Sequence, residues 1–199
     1  MGRPKLRTDS LRADMCSVAL ELLDAGGPSA VTTRAVAAGV GSSVAAVDEL
    51  FGGKSGLVRS LHAEGFARLA EVLVGLPASE DAERDIVDLA LAFRGFVQRH
   101  RHLSEVMFSR PFAEMGPSAD DDRDADSIYR CVLARVVAVL GPDRPRGAGK
   151  DAAIGLFATM RGLVELESAG ILGSHAASIE RRWRTTVVAV LRGWTGGVP

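Results

Sequence analysis

Cysteine, tyrosine and tryptophan are scarce in this chain of 199 residues: two, one and two respectively. Cys16 and Cys131 each stand inside an apolar stretch and form no C-x-x-C pair, so neither a disulfide framework nor a cysteine zinc site is expected. Both read as buried thiols, and a reducing cytoplasm is the expected compartment. No apolar run approaches the roughly 20 residues that cross a bilayer, so no membrane association is expected. The first ten residues lack the apolar core of a secretion signal, and a soluble, non-exported protein is expected. Gly2 would suit myristoylation, but Leu6 stands where that motif wants serine or threonine. An excess of one charge is missing too: 24 Lys and Arg face 25 Asp and Glu, a formal net charge of −1. Global charge carries no nucleic-acid signature, and any such role must come from local charge.

What the chain does have is 47% hydrophobic residues, enough for a sizeable core. They recur at spacings of three and four, with almost no strand-like alternation, so an all-α fold of about nine helices is expected. The first helix is expected from the caps Asp9 or Ser10 to Gly26-Gly27, with Leu11, Met15, Val18, Ala19 and Leu22 as its inner stripe. Two short helices follow, from about Thr33 to Gly39 and from about Ser43 to Leu50, with threonine and serine caps. Helices this short need tertiary packing to persist. After Gly52-Gly53 a long helix runs from about Lys54 to Leu76 and stops at Pro77. Ser79 is the expected cap of the next, whose stripe is Ile86, Leu89, Ala90, Phe93 and Val97.

A helix around Leu103 to Phe108 is expected to be interrupted at Pro111. From Met115-Gly116-Pro117 a loop should lead into Asp120, Asp121, Asp122, Asp124 and Asp126, read as solvated loop and first helical turn because no calcium-loop glycine accompanies them. Further helices are expected from about Ser127 to Leu140, Gly149 to Ala169 and Ala176 to Trp194. The organisation is read as two domains, residues 1–55 and residues 56–199.

The two short helices around Gly39-Val40-Gly41-Ser42-Ser43 have the dimensions of a helix-turn-helix, whose second helix can lie in a major groove. Thr32, Thr33, Ser42 and Ser43 set hydroxyls and backbone N–H groups at helix N-termini, and Lys54 opens the following helix, where a phosphate is favoured. Arg3, Lys5, Arg7 and Arg12 against Asp9 give residues 1–12 a net charge of +3, a candidate phosphate or minor-groove arm. Residues 79–126, by contrast, hold twelve acids and six bases.

Residues 9–60 resemble the tetracycline-repressor (TetR/AcrR) family of bacterial transcriptional regulators. The likeness lies in Met15…Val18-Ala19-Leu20-Glu21-Leu22-Leu23 ending at Gly27, then Val31-Thr32-Thr33-Arg34-Ala35-Val36-Ala37, Gly41-Ser42-Ser43 and Phe51-Gly52-Gly53-Lys54-Ser55-Gly56-Leu57. Phe157…Arg161-Gly162 looks like a divergent form of a Trp…His-Gly element of some family ligand domains. The resemblance implies backbone contacts from Thr32 and Thr33 with Arg34 beside them, base-edge contacts from Ser43, Val44, Ala45 and Ala46 after Ser42, and a phosphate on Lys54. Where the family commonly has a tyrosine this chain has Asp48, and a common histidine or tyrosine two positions later is Leu50. Asp48 would repel a phosphate or, at a base edge, accept from a cytosine N4. No Arg, Lys, Asn or Gln stands in Ser42–Val47 to make a bidentate base contact, so thymine-methyl contacts and DNA shape are expected to carry much of the readout.

Phe93, Phe96, Val97, Met107, Phe108, Phe112, Met115, Tyr129, Phe157 and Met160 are candidates for an apolar ligand pocket, with Arg161 or Glu165 as its polar handle; ordinary core is the other reading. Ile179, Trp183, Thr186, Val187, Val190 and Trp194 on the last helix are candidates for a four-helix homodimer interface, with intramolecular core again the alternative. A dimer would demand a pseudo-palindromic double-stranded operator.

Enzyme readings find little support. Gly52-Gly53-Lys54-Ser55 mimics the end of a phosphate-binding loop, but Asp48 stands at its required first glycine and no strand precedes it. His62, His100, His102 and His175 are scattered, so no metal and no cofactor is expected. The whole reads as a DNA-binding regulator, a repressor by resemblance, released by a small apolar effector. The competing reading is an all-α binding or interaction module with weakened DNA affinity, favoured by Asp48, Glu49 and Leu50.

Overall fold

Local end signals set most of the helix boundaries in the computed structural model, which describes residues 3–108, 119–142 and 145–196, with side chains omitted for 3–7 and 119–122. Nine helices and no strand occur among the described residues: α1 (Arg3–Gly26), α2 (Thr33–Gly39), α3 (Val44–Phe51), α4 (Lys54–Val74), α5 (Ala82–Arg99), α6 (Arg101–Phe108), α7 (Ala119–Leu140), α8 (Ala148–Ser168) and α9 (Ala176–Thr195). The all-α expectation holds.

Three starts differ from the sequence reading. Helix α1 begins at Arg3, leaving Asp9 and Ser10 inside it rather than capping it. Pro4 is tolerated in a first turn, and Lys5, Leu6 and Arg7 are good helix formers, so nothing local stops the helix earlier. Helix α7 begins at Ala119, eight residues before Ser127, and the acidic run is helical from its start. Asp81, not Ser79, caps α5: its Oδ1 accepts from the Arg84 amide at 2.9 Å. Ser79 instead donates its amide and hydroxyl to the Asp85 carboxylate at 2.8 and 2.6 Å, which together hold that carboxyl below its usual range.

The chain divides into two compact units, residues 1–68 with 100–124, and residues 69–99 with 125–199. The expected cut near residue 55 marks the end of the three-helix region, whereas compactness adds the first part of α4 and all of α6 to it.

In the first unit α1 packs on α2 and α6, and α2 packs on α3. Met15, Ala19 and Leu23 of α1 are buried with Val36, Val47, Phe51, Leu57, Leu61 and Leu103. Of the expected α1 stripe, Leu11, Val18 and Leu22 are only half-buried. The α1 terminus is closed by Gly27 at φ +70°, whose amide donates to the Leu23 carbonyl at 2.8 Å. That carbonyl also lies 2.9 Å from His102 Nδ1; a carbonyl only accepts, so Nδ1 carries the hydrogen.

In the second unit α5, α8 and α9 pack against one another. Their shared core includes Ile86, Leu89, Phe93, Phe96, Leu156, Met160, Leu163, Trp183, Val187 and Leu191, each large side chain contributing about 1.5–3 kcal/mol of transfer free energy. One carboxylate joins the three helices. Glu167 on α8 accepts from Arg94 Nε and Nη2 of α5 at 2.8 and 2.6 Å, from Gln98 Nε2 at 2.6 Å, and from Trp183 Nε1 of α9 at 2.8 Å. The Arg94 fork and the other donors hold the Glu167 carboxyl below its usual range, and the same pairing raises Arg94.

Candidate nucleic-acid interface

Helices α2 and α3 are joined by a turn that backbone hydrogen bonds fully specify. Helix α2 starts on Thr32, whose Oγ1 accepts from the Ala35 amide at 3.1 Å. It ends in a Schellman motif: the Gly41 amide donates to Ala38 O at 3.1 Å and the Ser42 amide to Ala37 O at 2.8 Å. Gly41 holds φ +63°, a left-handed value that glycine adopts without cost. Ser43 then caps α3 immediately, its Oγ accepting from the Ala46 amide at 3.2 Å. The caps and glycine that the sequence offered are thus the ones used.

Two further glycines fix where α3 lies against its neighbours. A Cβ on Gly39 would meet Val18 Cγ1 at 2.5 Å, so α2 approaches α1 more closely than alanine permits. A Cβ on Gly56 would fall 1.6 Å from the Phe51 carbonyl oxygen, so the α3–α4 corner requires glycine there. Gly52, at φ +71°, ends α3 by donating its amide to Asp48 O at 2.9 Å, and Lys54 opens α4 two residues later.

The inner face of α3 buries Val47 and Phe51; its outer face exposes Val44, Ala45, Asp48 and Glu49. Of the residues assigned to DNA, Thr32, Arg34, Ser43, Val44, Ala45 and Lys54 are exposed, and Thr33, Ser42 and Ala46 are half-buried. The structure brings these together on α2, the turn, α3 and the start of α4. Arg3, Lys5 and Arg7 lie in the first turns of α1, so the basic stretch is helical there rather than an extended arm.

Arg12 has a different place from the one charge counting gave it. Its guanidinium donates Nη1 to the Leu50 carbonyl and Nη2 to Ser60 Oγ at 3.2 Å, and lies 4.5 Å from the centre of the Phe51 ring. It ties α1 to the end of α3 and to α4, fixing α3 in place. No sequence signal separated it from its basic neighbours, because its partners lie 38 to 48 positions away.

The ligand candidates fall into both units. Met107 and Phe108 belong to the first, where Phe108 meets Phe66 edge-on at 5.8 Å between centroids and Met107 lies against Gly65. Phe93, Phe96, Val97, Tyr129, Phe157, Met160 and Arg161 belong to the second. There Phe93 and Phe157 meet edge-on at 6.2 Å. Phe93, Phe96 and Met160 are closed core, Val97 and Arg161 are half-buried, and Phe157 and Tyr129 are exposed. Burial pushes the Arg161 pKa down. Phe112 and Met115 lie outside the described residues.

The interface candidates on α9 divide in the same way. Trp183 and Val187 are completely buried and Ile179 nearly so, within their own chain. Trp183 and Val187 have no exposed area to give a partner and are core, Ile179 keeps only 9%, and the half-buried Thr186, Val190 and Trp194 keep more. Helix α8 exposes Ile154, Phe157 and Leu166, and further apolar side chains are exposed at Val74, Tyr129, Val137 and Ile171.

No group of three or more His, Cys, Asp or Glu residues suited to a metal ion occurs among the described residues. None of the described helices is long and apolar enough to cross a membrane.

No curated protein matches the chain significantly. Solved structures share its fold. A protein of unknown function from Rhodococcus sp. RHA1 aligns at 24% identity and a TM-score of 0.76, over 92% of this chain and 94% of that one. A TetR variant from Acinetobacter baumannii AYE in complex with minocycline aligns at 19% identity and a TM-score of 0.63, over 90% of this chain and 93% of that one. Residues 86–190, more than half of the sequence, match the family described as tetracyclin repressor-like, C-terminal domain, and the chain belongs to that family.

Proposed function

We propose that this protein is a DNA-binding transcriptional regulator that acts as a homodimeric repressor and is released by a small apolar effector in the cytoplasm, without enzymatic activity. The observation that carries this reading is the α2–α3 pair: two short helices, each capped by a hydroxyl, joined by a Schellman turn, with an outward α3 face and Lys54 at the next helix start. The α3 N-terminal residues Ser43 to Ala46 meet base edges, and Thr33, Arg34 and Lys54 hold phosphates. Family membership supports the reading independently of that geometry.

A second copy joins through the exposed apolar surface of α8, from Ile154 to Leu166, with Thr186, Val190 and Trp194 of α9 at its edge. The effector is taken by the second unit, where Phe157 stands half exposed on Phe93; it acts by binding one dimer geometry better than another. In vitro selection from random duplexes at low salt tests the reading. Enrichment of an inverted repeat is expected. Selection that enriches nothing favours the other reading, an interaction module whose Asp48 and Glu49 have ended DNA affinity.

A further inference from the structure

Helix α3 carries two carboxylates and no cation, an unusual charge for a surface that meets DNA. The cations around it come from other helices: Arg12 on α1, already engaged with Leu50 and Phe51, Arg34 on α2 and Lys54 on α4. Such an arrangement separates two tasks, with the flanking cations holding phosphates and the helix itself facing the bases. Asp48 lies four residues after Val44 and three after Ala45, so it continues the exposed stripe through both, whereas Glu49 adjoins Ala45 alone. Its Oδ1 stands 3.6 Å from where a Cβ on Gly53 would be, beside the glycine turn that leads into Lys54.

We infer that Asp48 is a specificity-determining residue that selects a cytosine in each half-site. The inference rests on the DNA-binding reading of α2 and α3. A carboxylate only accepts hydrogen bonds. In the major groove guanine offers N7 and O6 and thymine offers O4, all acceptors that repel it, and adenine sets the N7 acceptor beside its amino group. Cytosine alone presents an amino donor with no acceptor of its own in the groove. Asp48 thus penalises every base except the one that compensates it, and specificity arises from rejection as much as from attraction.

The test uses the full chain and Asp48→Asn, each taken through selection from random duplexes. Binding is then measured on duplex pairs that differ only at the selected position. The wild type is expected to enrich cytosine there and to prefer it over adenine by about tenfold, within the roughly 5- to 150-fold that one good base contact supplies. An asparagine donates and accepts, so Asp48→Asn should shift the preference to adenine. Asp48→Ala should lose the preference and gain none. Asp48 is exposed, and circular dichroism checks the fold of each variant. An identical base preference in all three proteins overturns the inference while leaving the DNA reading intact. Folded proteins that all enrich no duplex overturn the DNA reading beneath it.

Discussion

Gly→Ala is expected to change sign between two helical positions of this chain. On α5, a Cβ at Gly95 would find nothing closer than Arg99 Nη2 at 4.0 Å. There the substitution only removes unfolded-state freedom and improves helix propensity, a gain of about 0.5–1 kcal/mol. On α4, the same Cβ at Gly56 would fall 1.6 Å from the Phe51 carbonyl oxygen and 2.7 Å from its carbon. The obstacle is backbone at the end of α3 and cannot rotate away, so the α3–α4 corner must open. Overpacking costs of 1–3 kcal/mol apply to obstacles that are side chains; here about 3 kcal/mol or more is expected. Thermal unfolding followed by circular dichroism should show a rise of about 1–4 °C for Gly95→Ala and a fall of about 6–12 °C for Gly56→Ala, at roughly 2–4 °C per kcal/mol for a chain of this size. Equal small shifts at both positions would refute the claim that the corner is set by a backbone contact only glycine allows.

Three further outcomes follow from named contacts. Glu167→Ala leaves the Arg94 guanidinium without its bidentate partner, with side chains only 16% and 15% exposed, and should cost about 3 kcal/mol in urea unfolding. The Glu167 carboxyl is depressed in the folded state, so its contribution is full above its unfolded value near 4.5 and is lost as pH falls through the lower folded value. The wild-type curve should fall in that acid window more steeply than the variant's. Arg12→Met should cost about 1–2 kcal/mol through lost bonds to Leu50 and Ser60 and the lost Phe51 contact, and should leave the salt slope of DNA binding unchanged, because Arg12 holds α3 rather than phosphate. Lys54→Met, by contrast, should reduce that slope by about 0.9, one phosphate contact, when affinity is followed by fluorescence anisotropy across a salt series. A slope that drops for Arg12→Met but not for Lys54→Met would reverse the two assignments.

The parts of the fold that proved legible in sequence are those decided within a few residues. Thr32, Gly41, Ser43 and Gly52 each act through a partner three to five positions away, so the short helices and the turn between them could be placed from the chain alone. The α1 start departs from the sequence signals for a related reason: Asp9 and Ser10 have the chemistry of caps, but a cap acts only where a helix begins, and Pro4 lets this one begin earlier. Residues whose partners are distant were opaque. Glu167 reaches Arg94 across 73 positions, and nothing in its neighbourhood marks it as the carboxylate that joins three helices. Trp183 shows the limit of periodicity. It stands on the apolar stripe of α9, yet a stripe does not say whether its own chain or a second copy covers it. The Glu167 bond and complete burial assign it to the chain's own core.

In the proposed function two copies of α3 read one duplex. Hydroxyl-radical footprinting of the full chain on its selected duplex tests it most directly. Two protected tracts are expected on one face of the helix, related by a two-fold axis and centred about one turn, roughly 34–36 Å, or a whole multiple of it apart. A single tract, or protection that does not follow the helical repeat, would contradict it.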